Sequence, residues 1–142
     1  MDITELKKLI PQDKFDITNI EKLLSLSDDD IEQIIPELLE WLQDMNWLVA
    51  EKVSNVLSYR CKIAEPYVIE LLLPTQKDDI WKYWLIKSLI SNFKDKPSEK
   101  LINAIERVAK NPTSGEHNEE VDTVAKEYLR INWKPDKKYK KD

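Results

Sequence analysis

One glycine, Gly115, stands in a chain of 142 residues. Sheets draw on glycine at tight turns and bulges, where φ is often positive, so a chain almost without it has few ways to turn one strand into the next. Helices joined by short polar loops need much less of it. At 42% hydrophobic and 35% charged residues, the chain can bury a core and does not have the composition of a disordered one. The constraint therefore points to an all-α fold.

Apolar residues at helical spacing, punctuated by caps and prolines, divide the chain. A first helix is expected over Ile3 to Leu9, stopped by Pro11, and a second, capped by Asp16, over "ITNIEKLLSL". Ser27 caps a third, whose first turn holds Asp28, Asp29 and Asp30, and Pro36 opens "PELLEWLQD". Asn46 is the expected cap of "WLVAEKVSNVLSYR"; another helix covers Ala64 to Leu73, and Asp78 or Asp79 caps one that reaches Phe93. Pro97 and Ser98 open "EKLINAIERVAKN", "NPTSGEHN" reads as a loop, and the last helix spans Glu119 to Ile131. "LLEWLQDMNWLVAEKVSNVL" overlays "IELLLPTQKDDIWKYWLIKSL" at an offset of about 32–33 residues, the form of a two-helix repeat. The expected architecture is an α-solenoid of the HEAT/armadillo kind, about seven to eight short antiparallel helices, with one domain over residues 1–132 and a basic, disordered tail over 133–142.

Several chemistries lack their residues. Cys61 is the sole cysteine and His117 the sole histidine, so neither a disulfide framework, a thiolate or imidazole metal site nor a histidine triad is expected. There is no glycine-rich phosphate loop and no nucleophile elbow, so no catalytic, cofactor-binding or metal-ligating residue is assigned. A net charge of −5 disfavours nucleic acid and membrane surfaces as partners. The start "MDITELKKLI" is unlike a signal peptide and no run approaches the ~18 apolar residues of a span, so the expected location is the cytoplasm.

Two features could form a surface with a purpose. In "DDIWKYWLIKSL" the rings of Trp81, Tyr83 and Trp84 crowd a helix that is apolar nearly all round, which reads mainly as core; the alternative is an aromatic cleft for a ligand, with the stem of Lys82 lying along that surface. The better candidate is acidic. Asp28, Asp29, Asp30, Glu32, Glu37, Glu40, Asp44 and Glu51 follow one another with no Lys or Arg between them. Glu37, Glu40 and Asp44 recur at i, i+3 and i+7, Trp41 borders them, and Trp47 and Glu51 point away from the next helix's apolar stripe beside Ser54 and Ser58. Glu37, Glu40, Trp41, Asp44, Trp47 and Glu51 are thus the candidate binding residues, for a protein with a basic surface.

The segments "LIPQDKFD", "IPELLEWLQDMNW", "DDIWKYWLI" and "NPTSGEHNEEVDTVAKEYL" resemble a family of small bacterial proteins known as domain of unknown function 5071, over about Leu9 to Leu129. The resemblance implies a HEAT/armadillo-like helical fold and brings no catalytic residues. Together these readings lead to a non-enzymatic protein-interaction module, in its most specific form an immunity or antitoxin-like protein masking a basic toxin. The alternative is a HEAT-like enzyme of the DNA glycosylase type, pairing Trp47 with Asp44 or Trp81 with Asp79. Such enzymes need a basic groove, whereas without its tail this chain carries about −8.

Overall fold

Side chains that cap helices set most of the boundaries in the computed structural model, which describes residues 1–132; the expected tail lies outside the described residues. Asp2 takes the amide of Glu5 and starts α1 (Ile3–Lys7). Asp16 does not cap the second helix. Its carboxylate instead accepts from the amides of Gln12 and Thr18, closing a turn, so α2 (Ile20–Ser25) begins four residues later. Ser27 accepts from the Asp30 amide at the head of α3 (Asp28–Glu32). Pro36 lies in the first turn of α4 (Ile35–Glu40), where its missing N–H costs nothing, and one 3₁₀ turn, Trp41–Gln43, prolongs that helix.

Next come α5 (Leu48–Ser58) and α6 (Cys61–Leu71). Helix α6 starts three residues before the expected Ala64 and holds Pro66 inside it, at an exposed position. Asp78 accepts from the Trp81 amide and caps α7 (Asp79–Trp84). Beyond it the chain stays helical to Asn92, but first through a π turn, Leu85–Leu89, and then a 3₁₀ turn, Ile90–Asn92. Carbonyls loosened by the π turn are taken by side chains: Ser91 donates to Ile86 O, and Asn92 and Ser54 both donate to Ser88 O. Ser98 caps α8 (Glu99–Lys110).

The stretch expected as a loop is a short helix, α9 (Ser114–Asn118). Thr113 and Glu116 satisfy each other's amides at its start in a reciprocal capping box. Glu120, with φ 62°, turns the chain into α10 (Val121–Asn132). That left-handed position falls on a glutamate. The sole glycine is needed for space instead, since a Cβ on Gly115 would run into the Asp79 carboxylate.

The described chain is all-α, with ten α-helical segments and no strand among the described residues. There are more segments than expected: α1, α3 and α9 are only five residues each, and α9 falls in the stretch expected as a loop. One hydrophobic cluster runs from Leu6 through Ile34, Leu38, Val53, Leu57, Leu85 and Ile105 to Tyr128. Helix α8 packs against α6 and α10, and α10 covers the π turn. No helix among the described residues is long and apolar enough to cross a membrane.

The aromatic stretch departs from the expected core. Trp81, Tyr83 and Trp84 are each only partly buried, and Ile80 is 51% exposed. Trp81 anchors α7 by donating its indole N–H to Leu39 O at 3.1 Å, and Tyr83 meets Trp84 edge to face at 5.0 Å. The fully buried residue of this turn is Lys82, whose amine points inward, not along the surface. Two polar positions are covered as well. Ser54 and Ser58, expected on a solvated face, are buried against the residues after the π turn.

Candidate functional site

Trp41 and Trp47 come together at the turn between α4 and α5. Their ring centroids lie 5.6 Å apart at 71°, an edge-to-face pair whose geometry is worth about 1 kcal/mol beyond burial. Both rings are half-buried against the core and half-open. Asp44 builds the turn that joins them. Its Oδ1 accepts from the Asn46 amide at 2.9 Å and its carbonyl from the Trp47 amide at 3.2 Å, so Asp44 organises this turn and Asn46 does not cap the helix. The cap position of α5 falls on Trp47 itself, with no side-chain hydrogen bond.

The expected carboxylate row is shorter than its spacing suggested. Helix α4 ends at Glu40 and Asp44 is extended, so Glu37 and Glu40 share a helical surface but Asp44 leaves it. Residues distant in sequence supply cations. Arg60 meets Asp28 at 3.3 Å, the chain's amino group meets Asp30 at 3.7 Å, and Lys7 approaches Glu37 at 4.0 Å. Each pair has at least one partner open to solvent, which screens it, so each is worth little. Asp29, Glu32, Glu40, Asp44 and Glu51 have no described cation within ion-pair distance. Glu40 and Glu51 are exposed on either side of the tryptophan pair. Glu51 follows Trp47 by one helical turn and lines a polar groove of about 360 Å³ with Met45, Ser54, Asn55, Ser88 and Lys94. Of the six candidate residues, Trp41, Asp44 and Trp47 thus meet at one turn, Glu40 and Glu51 lie on the helices that lead into and out of it, and Glu37 lies back in the first turn of α4 against Lys7. A groove of about 870 Å³ between α1 and α2 is lined by none of them.

A second cluster of charge is centred on two buried residues, and sequence reasoning missed it. Lys82 and Glu116 are both fully buried and 2.6 Å apart. Lys82 Nζ also donates to Leu73 O at 2.9 Å and lies 3.6 Å from Asp79. Arg107 grips both Glu116 oxygens, at 2.6 and 2.8 Å, and donates to Leu72 O at 2.7 Å. The Thr113 amide completes the set at 2.9 Å. Burial pushes the Glu116 carboxyl up, but the hydrogen bonds from Arg107, Lys82 and Thr113 outweigh it and hold its pKa at about 2. No buried side-chain donor or acceptor is left without a partner, and the network ties the end of α6 to α7, α8 and α9, so it is a fastening of the fold. Asp79, which the glycosylase alternative would need, is engaged here.

His117 is on α9 and exposed, with Nδ1 2.8 Å from Asp122 Oδ2 at the start of α10. Asp122 is buried, which raises its pKa, but the His117 contact and the Thr123 amide bring the net shift below the ordinary value. Cys61 is buried, its thiol 3.7 Å from Asp95. No group of three metal-ligating side chains converges among the described residues.

With this geometry in hand, comparison with known proteins supplies a family. The model of domain of unknown function DUF5071 matches residues 9–129, and the chain belongs to that family. No curated protein matches it.

Proposed function

We propose that this member of the DUF5071 family is a non-enzymatic protein-interaction module whose acidic, tryptophan-edged surface docks a partner with a basic face. The single observation that carries the reading is the half-open Trp41–Trp47 pair, 5.6 Å between centroids, flanked by Glu40 and Glu51, which lack a described counter-ion. Tryptophan is enriched at the centres of interfaces, where a rigid ring buries much area at small entropic cost, and surrounding charges steer association. We read the succession of short helices as a HEAT/armadillo-like stack. The packing of α8 between α6 and α10 supports that reading. In its most specific form the module is an immunity or antitoxin-like protein that masks a basic, nucleic-acid-directed toxin; acidity, size and the small-protein family support it.

The proposal is tested by capturing the partner from native lysate and measuring its affinity for variants at the tryptophan pair. A folded variant that binds as well as wild type rejects the surface. A separate test addresses the enzyme alternative. With residues 134–142 removed, the protein is expected to retard no DNA in gel shifts near physiological salt, because the remaining chain carries no basic excess. Tight binding by the truncated protein would instead restore the glycosylase reading.

A further inference from the structure

The geometry points to a peptide-binding groove beside the π turn that takes a three-residue extended segment, with an arginine or lysine at one end and a free C-terminal carboxylate at the other. This deepens the docking proposal and rests on it. The groove follows α5. Glu51 stands at its first end, Ser54 and Asn55 one turn on, and Ser58 at the far end, where Ser58 O accepts from the Lys94 amide at 3.0 Å. Lys94 lines the groove, and its amine stays at that far end, 5.2 Å from the ring of Tyr59, the C-cap of α5. From Glu51 to Ser58 a helix rises about 10 Å, the length of three extended residues.

The opposite wall is made by the π turn. Its widened backbone puts Ser88 O within reach of both Ser54 and Asn92, which occupy it, and the buried Ser58 hydroxyl is given to Asn55 O, so the groups the walls leave open to a ligand are the exposed side-chain amides of Asn55 and Asn92. Such walls suit a peptide backbone, which offers a donor and an acceptor at every residue. A carboxylate at one end and an ammonium at the other fix the direction of the segment: its cationic side chain meets Glu51 and its terminal carboxylate meets Lys94. The volume of about 360 Å³ matches a few residues and excludes a helix. Because Glu51 follows Trp47 by one turn, the chain leading into the groove crosses the tryptophan pair.

The test is an NMR titration of the full chain, labelled with ¹⁵N, using a peptide ending in Arg-Ser-Ala with a free carboxylate. Amide shifts are expected along residues 45–58 and 88–94. Glu51→Gln should weaken binding about tenfold, as loss of a charged hydrogen bond does, and should have no effect on a peptide with Ala in place of Arg. Lys94→Gln should erase the advantage of the free carboxylate over the amide. Both residues are exposed, so both variants should keep the wild-type melting temperature. Shifts elsewhere, equal binding by the amidated peptide, or equal competition by free lysine would overturn the assignment. If the groove variants bind the peptide unchanged while Trp47→Ala weakens the captured partner, the groove fails and the docking surface stands. The reverse pattern rejects the docking surface alone.

Discussion

Glu116→Ala is expected to destabilise the protein by about 3–5 kcal/mol, the cost of breaking a buried ion pair by removing one partner. Fully buried Lys82 would lose the carboxylate at 2.6 Å, and Arg107 would lose its two-point contact. Carbonyls of Leu72 and Leu73 would remain to solvate the cations, but the Asp79 carboxylate, 3.6 Å from Lys82, would be left as one negative charge against two positive ones. For a domain stable by roughly 5–15 kcal/mol, this is a large share. Urea denaturation should show a lower midpoint with an unchanged slope. The pH dependence identifies the cause. The folded-state pKa of Glu116, about 2, is below its ordinary 4.5, so its ionisation contributes stability that is fully present above pH 4.5 and is lost as the pH falls toward 2. Wild type should therefore lose stability over that window, and the gap to Glu116→Gln should narrow across it. A gap independent of pH would mean that packing, not charge, explains the residue.

Trp47→Ala is expected to cost the complex with the basic partner about 2 kcal/mol or more, almost entirely through a faster off-rate. The ring is half-buried against Trp41, so part of its surface is already paid for by the fold and the remainder is available to a partner. Trp41 would lose its edge-to-face neighbour, so a modest drop in melting temperature should accompany the change. Trp47→Phe separates the two effects. It keeps an aromatic contact for the fold and should recover stability more fully than affinity. Equal recovery of both would assign Trp47 to the fold alone.

The all-α class and most helix starts were legible because their signals are local. Ser27, Asp78 and Ser98 cap the helices they precede, and Pro36 opens one. Local signals also misled where one side chain had two possible tasks. Asp16 closes a turn with Gln12 and Thr18, and Asp44 takes the amide of Asn46. The capping box at Thr113 and Glu116 could have been read from the T-S-G-E order, but glycine and proline around it gave the stretch the look of a loop. The Lys82–Glu116–Arg107 network had no such signal. Its members are far apart in sequence, and a helical wheel cannot tell a lysine that extends along a surface from one that turns inward to a carboxylate on another helix. For the same reason the wheel put Ser54 and Ser58 in solvent. Their cover comes from the π turn and the residues after it, neighbours that a wheel of α5 alone does not contain. At the candidate site, sequence spacing aligned Glu37, Glu40 and Asp44 on one helical face but could not anticipate that the helix ends before Asp44 or that Lys7 reaches Glu37.

The central claim, that this acidic surface steers a basic partner onto the tryptophan pair, is tested most directly by the association rate of wild type and Glu40→Lys at two salt concentrations. Glu40 is exposed beside the pair and has no described counter-ion, so reversing its charge should leave the fold intact. The account predicts that wild type associates faster than Glu40→Lys at low salt. The two rates should converge as salt rises and the Debye length falls to about 8 Å at physiological ionic strength, while the off-rates change little. Association rates that are equal at both salt concentrations, with both proteins folded, would contradict it.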